Sequence, residues 1–382
     1  MTKFVANLTI KKFGGTSLAD PHHINHVADI IYDSHCRKMP CVVVVSAMSG
    51  ATDQIIKIAD THDAPATHKE RDVMLCTGEQ ISAALLSMAL EKRGVSARSW
   101  MGWQIPIQTT EHAGCAHITH IEGTALLDQV HRGIVPIVCG FQGMDQENRI
   151  TTLGRGGSDT TAVALAHYLH AEKCEIFTDV HGVYTADPSS IYGAKCYESI
   201  SYSDMLVLSR NGARVLHPRC VIQAQKSNIP IHVLSTWNYT EAGTKIHSDA
   251  PPRKGIAIKE AVQWLLPNLC EKKIQDIYQK CQFYEVPILH WAMSPSGLSF
   301  ITWKEHMDIL EPIVQTPSIN LDIITVVGFN AQERSQCLLQ HTHDIKQYFL
   351  HDKHFMIVSH RKNSLGLMKN IHTMINMTSI ER

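Results

Sequence analysis

Short, continuous apolar runs alternate along this chain with stretches whose apolar residues recur every three or four positions. "CVVVVSAM" (41–48), "IVPIVCGF" (134–141), "CEIFTDV" (174–180) and "IPIHVLS" (229–235) predict strands buried on both faces. "EQISAALLSMALEKRG" (79–94) predicts a helix that ends on a glycine, the residue best suited to a helix C-cap. Strand and helix in alternation predict an α/β fold, a mostly parallel sheet sandwiched by helices, with ligands at the C-terminal ends of its strands. The texture changes near 249, where "DAPPRKG" has the proline and charge of a linker. Beyond it, "AVQWLLPN", a helical stretch, "ILHWAMS", "LSFITW", a second helix and "LDIITVV" predict a β-α-β-β-α-β unit of α+β, ferredoxin-like type. The expected division is therefore 1–250 and 255–382, the latter as two modules of roughly 258–328 and 329–382, the second weaker and shorter.

Composition narrows the function classes. At 382 residues the chain can hold two or three cores, and 44% hydrophobic with 19% charged residues describes a soluble globular protein. A net charge of −1 encodes no broad attraction to nucleic acid or anionic lipid. Eleven cysteines without framework spacing read as reduced thiols. The segment "MTKFVANLTI" is too short and polar for a signal peptide, and no apolar run is expected to reach the about 18 residues of a membrane span. The expectation is a cytoplasmic protein with no nucleic-acid or membrane partner.

Six short stretches carry candidate chemistry. "KKFGGTSLAD" sets Lys12 at a strand end before Gly14, Gly15, Thr16 and Ser17. The lysine precedes the glycines, so this is no P-loop, yet glycine N–H groups and a lysine charge suit phosphate oxygens; taken alone, a glycine pair after a strand is most often just a turn. "VVVVSAMSGATDQI" ends a strand with Ser46, Ser49, Gly50 and Thr52, a capped turn or a polar pocket wall. "TGEQIS" places Glu79 at a helix start, where a carboxylate complements the dipole or holds a cationic amine. "TTLGRGGSDTTAVALAHYL" packs Gly154, Gly156 and Gly157 around Arg155 before Ser158, Asp159 and a helix: an anion site with a planar guanidinium. "FTDVHGVYTADPSS" leaves a strand with Thr178 and Asp179, then Tyr184 and Asp187, while "NGARVLHPRC" offers a cationic helix end at Arg214 before His217 and Pro218. "EHAGCAHITH" (111–120) fits no strong zinc spacing and reads as a solvated loop, and no metal-ligating set is expected.

Together and in this order, the stretches over residues 9 to about 246 resemble the aspartokinases of the amino-acid kinase fold, and the tail resembles a degenerate pair of ACT modules. The resemblance implies transfer of a phosphoryl group from ATP, with Mg²⁺, to L-aspartate, giving 4-phospho-L-aspartate, the entry to lysine, threonine and methionine synthesis. It implies catalytic roles for Lys12 and Asp159. It gives the phosphates and nucleotide to Lys12, Gly14, Gly15, Thr178, Asp179, Tyr184, Asp187 and Arg214. Substrate falls to Ser46, Thr52, Glu79, Phe141, Arg155 and Ser158. Oligomerisation, as a homodimer or larger, is expected through the C-terminal region. Two departures stand out: Ser189 follows Pro188 where the family has arginine, and Arg214 stands where it has lysine. They keep open a catalytically weakened, regulatory kinase-fold subunit; a sibling kinase acting on glutamate, acetylglutamate or carbamate is a further alternative.

Overall fold

The computed structural model describes residues 5–62, 68–266, 271–283, 286–294, 297–314 and 319–378. The chain divides into two compact units. The first comprises 1–183, 196–209 and 214–251; the second comprises 184–195, 210–213 and 252–382.

The first unit begins β1 (Thr9–Phe13), α1 (Pro21–Cys36), β2 (Cys41–Val45), α2 (Ala51–Asp60), α3 (Lys69–Leu75) and α4 (Thr77–Glu91). It continues with β3 (Ala97–Trp100), β4 (Ile107–Thr109), β5 (Ile118–Ile121), α5 (Thr124–His131), β6 (Val135–Cys139), β7 (Gln142–Met144) and β8 (Ile150–Thr152). It closes with α6 (Gly157–Tyr168), β9 (Lys173–Thr178), β10 (Ser199–Ile200), α7 (Tyr202–Arg210), α8 (Pro218–Ser227), β11 (Ile231–Ser235) and β12 (Thr244–Ile246). Eight strands form one sheet in the order β10-β12-β11-β9-β1-β2-β6-β3, and β5-β4-β7-β8 form a smaller one. In the large sheet only β11 and β12 pair antiparallel. The mostly parallel sheet expected from the strand–helix alternation is present.

Both faces of the central strands are covered: every residue of β1, β2 and β6 is buried, so β2 reads as an unbroken valine run while β1 buries Lys11 and Lys12 as well. Helix α6 is buried nearly all round, and its Thr161, Ala162, Ala164 and Ala166 leave room for close packing. Against the expectation that no run is long and apolar enough for a membrane span, the helical run Lys69–Glu91 is so by length and composition; the charges of its first turn made it look polar in sequence. In the structure the run breaks at Cys76 into α3 and α4, which bury Asp72 and Glu79 on one side and leave Val73, Ile81 and Met88 exposed on the other.

The parallel register aligns the strand ends. Phe13 lies opposite Val45 and Phe177, and Val45 opposite Cys139. The residues that follow β9, β1, β2 and β6 therefore leave the sheet along one edge, as in other open α/β sheets that bind ligands there.

The second unit contains β13 (Gly255–Leu266), α9 (Glu271–Phe283), β14 (Ile288–Ser294), β15 (Gly297–Trp303), α10 (Met307–Val314), β16 (Ile319–Val327), α11 (Ala331–Gln340), β17 (Gln347–Leu350), β18 (His354–His360) and α12 (Arg361–Thr378). Its strands form one antiparallel sheet, β14-β15-β13-β16-β18-β17. The expected β-α-β-β-α-β order is present, but β16 serves both halves, so the sheet is continuous across the expected boundary at 328/329. Strand β13 also starts six residues before "AVQWLLPN". Its Lys259 and Glu260 break the apolar pattern and are held by Glu305, and by Lys304 and Arg361, respectively. Segment 184–195 packs into this unit: Ala186 and Ile191 join Ile256, Phe329, Leu367 and Ile371 in one core.

Candidate active site

Lys12 is the fourth residue of β1, the central strand of the large sheet, and is only 8% exposed. Its Nζ lies 2.6 Å from Oδ1 of Asp159, in the first turn of α6. Asp159 thus complements the helix dipole and fixes the ammonium at the mouth of the strand. Beside it, the Gly14 N–H donates to the Phe177 carbonyl at 3.4 Å. A side chain on Gly15 would press within 3.0 Å of the Ala47 carbonyl. The glycine pair therefore provides room at the crossing of three strand ends, and the Gly14 amide is already engaged.

Glu79 stands in the first turn of α4 and is 3% exposed. Its Oε1 accepts the Ala47 N–H at 3.1 Å, whereas Oε2 is buried without a hydrogen-bond partner. Burial pushes its carboxyl up to about 7. The preceding glycine is required for this approach, because a Cβ on Gly78 would fall 2.7 Å from that of Ala47. Ser46 and Thr52, both half-buried, flank the same turn, and Gly50 enters α2 in the left-handed region.

The Arg155 loop is shaped by two left-handed glycines, Gly154 (φ 74°) and Gly156 (φ 70°). They leave Arg155 exposed and turn Ser158, 8% exposed, inward. Gly156 lies against the His217 ring, and Arg219 donates to the Leu153 carbonyl at 2.8 Å. Phe141 adopts φ 69°, a strained conformation for an aromatic residue. It is held there by Thr161 Oγ1 accepting its N–H and by Leu153 N–H donating to its carbonyl. Gly140 and Gly157 allow Ser158 and Phe141 to approach.

At the β9 exit, Thr178 Oγ1 donates to Asp179 Oδ1 at 3.0 Å, and its carbonyl accepts the Thr236 N–H. Thr236 also shares a 2.6 Å hydroxyl contact with Ser17. Sequence reading missed Thr236, Thr161 and Arg219; Ser17 was visible inside the "KFGGTS" stretch but given no role. Arg214 is exposed in the turn between α7 and α8. The expected cationic helix end is absent there: α7 stops at Arg210 and α8 starts at Pro218 with His217 as its cap. Tyr184 and Asp187 belong to the second unit. There the Asp187 carboxylate accepts both the N–H and hydroxyl of Ser189, at 2.9 and 2.7 Å. The serine that replaces an expected cation therefore ties down this carboxylate.

The structure thus brings together Lys12 with Asp159, Glu79 with the Ala47 turn, and Phe141 with Gly157 and Ser158. In chemical terms this is a buried cation and a partly unsatisfied buried carboxylate at the strand ends of one sheet, next to a glycine-shaped arginine loop.

Comparison with known proteins matches residues 7–235 to the amino acid kinase family. Aspartokinase 2 of Bacillus subtilis is 44% identical over 252 residues, spanning 66% of this chain and 62% of the relative. The aspartokinase of Geobacillus stearothermophilus is 42% identical over 275 residues, 71% of this chain and 67% of its own length. Those alignments thus span little more than three fifths to two thirds of the relatives. In fold, Escherichia coli aspartokinase III, solved with aspartate and ADP, superposes with a TM-score of 0.76 at 21% identity, covering 96% of this chain and 99% of that one. The Clostridium acetobutylicum aspartate kinase gives 0.69 at 19%, over 96% and 99%. From the family match over most of its first unit and this identity to named relatives, the chain belongs to the amino acid kinase family, among the aspartokinases.

Proposed function

We propose that this chain is an aspartate kinase, transferring the γ-phosphoryl group of MgATP to the side-chain carboxylate of L-aspartate to give 4-phospho-L-aspartate. The observation that carries the reading is Glu79: a buried carboxylate with one oxygen unsatisfied suits the ammonium of an amino acid.

The acceptor carboxylate is ionised at neutral pH, so its attack needs no general base. Alignment of two anions and removal of their repulsion are the whole demand. Lys12, steadied by Asp159, neutralises the transferring phosphoryl group. Arg155 and Ser158 hold substrate carboxylate, Glu79 its ammonium, and Ser46, Thr52 and Phe141 line the pocket. Gly14 and Gly15 admit the phosphates, while Thr178, Asp179 and Arg214 of the first unit serve the nucleotide. Asp159 and Asp179 offer carboxylate oxygens suited to a hard cation; Mg²⁺ brought in with ATP would be held by donors of this kind and would supply neutralisation of phosphate charge. Residues 1–250 are assigned to catalysis and 255–382 to an ACT-like region that regulates and pairs subunits as a homodimer or larger. ATP turnover measured across aspartate, glutamate and acetylglutamate tests the reading. Aspartate-dependent turnover is expected, and turnover with another acceptor alone refutes it.

A further inference from the structure

Asp72 lies outside every role given above, yet it is 1% exposed and its carboxylate accepts from three separate donors. Its Oδ1 accepts the Thr152 hydroxyl at 2.8 Å, and its Oδ2 accepts the Thr152 N–H at 2.9 Å. The Gly114 N–H is shared between both oxygens at 3.1 Å. Among the described residues no cation pairs with it, and burial holds its carboxyl above the usual range. An unpaired buried carboxylate lowers stability, so its geometry calls for a reason.

That reason is what the bonds connect. Thr152 ends β8 two residues before Gly154, where the Arg155 loop begins. Gly114 faces the same loop from outside: its carbonyl lies 2.8 Å from where a Gly154 Cβ would be. Thr152 and the 114–116 turn are joined again by the Ala116 N–H donating to the Thr152 carbonyl at 2.9 Å. At its other end, Asp72 belongs to α3, whose carbonyl at Asp72 accepts the Cys76 N–H immediately before α4 and Glu79. The Cys76 carbonyl in turn takes the Gln142 side-chain N–H at 3.1 Å, next to Phe141.

We propose that Asp72 is a positioning residue that sets the distance between the two ends of the substrate site, Glu79 on one side and the Arg155–Ser158 loop on the other. The assignment of those ends rests on the aspartate-kinase reading. A carboxylate is required because it presents acceptors alone; an asparagine amide would turn an N–H₂ toward the Gly114 or Thr152 donors. Asp72 touches no reacting atom. Its loss therefore spreads the two contact points for aspartate while Lys12 and its phosphate chemistry stay in place.

The test is steady-state kinetics of the full chain as Asp72→Asn, Thr152→Val and Thr152→Ser, with amide hydrogen exchange over 151–158. Since displacements of about 1 Å cost up to 10²-fold, Asp72→Asn is expected to raise KM for aspartate roughly 10-fold or more, with KM for ATP changed less than about 2-fold. Thr152→Val, which removes one donor and is milder to folding, shifts the same constant by a smaller factor. Thr152→Ser restores the hydroxyl and returns it to the wild-type value. Exchange at 151–158 speeds up in the first two variants only. Equal rises in both KM values, or an unchanged KM for aspartate, overturn the proposal. A wild-type chain that turns over no aspartate overturns the kinase reading instead; unchanged protection at 151–158 in Asp72→Asn then overturns the brace on its own.

Discussion

Lys12 and Asp159 meet 2.6 Å apart across the junction of β1 and α6, with both side chains almost wholly removed from water. One comes from the centre of the sheet, the other from the helix that follows the glycine loop. The pair fixes a cation where an incoming phosphate finds it already oriented, which is what preorganised charge stabilisation requires.

Arg155 is exposed between two left-handed glycines, so its guanidinium is presented without being buried. Substituting lysine keeps the charge but loses the planar two-point contact. Arg155→Lys is expected to raise KM for aspartate by about 10-fold while KM for ATP changes little. Kinetics with each substrate varied separately check this; a shift confined to ATP would assign Arg155 to the phosphate end.

Glu79 makes the site sensitive to pH. Burial raises its carboxyl from the ordinary value near 4.5 to about 7, so the folded protein prefers it protonated. The stability cost of the charged form is absent below the unfolded value and grows as pH rises from 4.5 through 7. Glu79→Gln should therefore raise the Tm of the ligand-free protein at pH 8 and change it little at pH 4, below the unfolded value; the displacement corresponds to at most about 3 kcal/mol. Aspartate binding runs the other way, because its ammonium needs the carboxylate. KM for aspartate in the wild type should climb as pH falls below 7. A flat KM between pH 6 and 8 would remove Glu79 from substrate binding.

The candidate site is written in the sequence as local strings: a lysine before two glycines, an arginine between glycines, a Thr-Asp pair at a strand exit. Those strings lie at the ends of β-branched runs, and such runs mark parallel strands plainly. What the sequence hid were contacts between distant segments. Asp72 reaching Thr152 and Gly114, or Thr236 reaching Ser17 and Thr178, leave no periodic trace. Strand β13 was missed in its first half because Lys259 and Glu260 look like surface until their partners are known. The Ser189 departure looked like a missing cation; the fold shows the same residue donating twice to Asp187.

Gly156 offers a direct check of the loop geometry. An added Cβ would fall 2.2 Å from the His217 Cβ, and the φ of 70° is unfavourable for any other residue. Gly156→Ala should lower stability by about 2 kcal/mol or more, readable in chemical denaturation, and depress aspartate turnover together with it. A variant of native stability and activity would show that the loop relaxes freely.

Control by amino acids is expected to be weak. In the turn between β16 and α11, Gly328 has φ 77° and lies where a Cβ would come 2.3 Å from the Arg253 carbonyl. Asn330 and Glu333 close a capping box there, and Lys254 pairs with Glu333. The turn is occupied by its own contacts and leaves little differential affinity for an effector. The corresponding turn of the other half, at Pro267, lies outside the described residues. Activity titrated with lysine and threonine, alone and together, should fall less than about 2-fold. Strong inhibition at sub-millimolar concentrations would contradict this.

Phosphoryl transfer to aspartate steered by Lys12 leaves an acyl phosphate, which hydroxylamine traps. With ATP, Mg²⁺, L-aspartate and hydroxylamine, the wild-type chain should form the hydroxamate of the aspartate side chain. Lys12→Ala should slow its formation by about 10² or more while the Kd for aspartate, measured by calorimetry, stays within about 2-fold. No hydroxamate from the wild type, or undiminished formation by Lys12→Ala, would contradict the account.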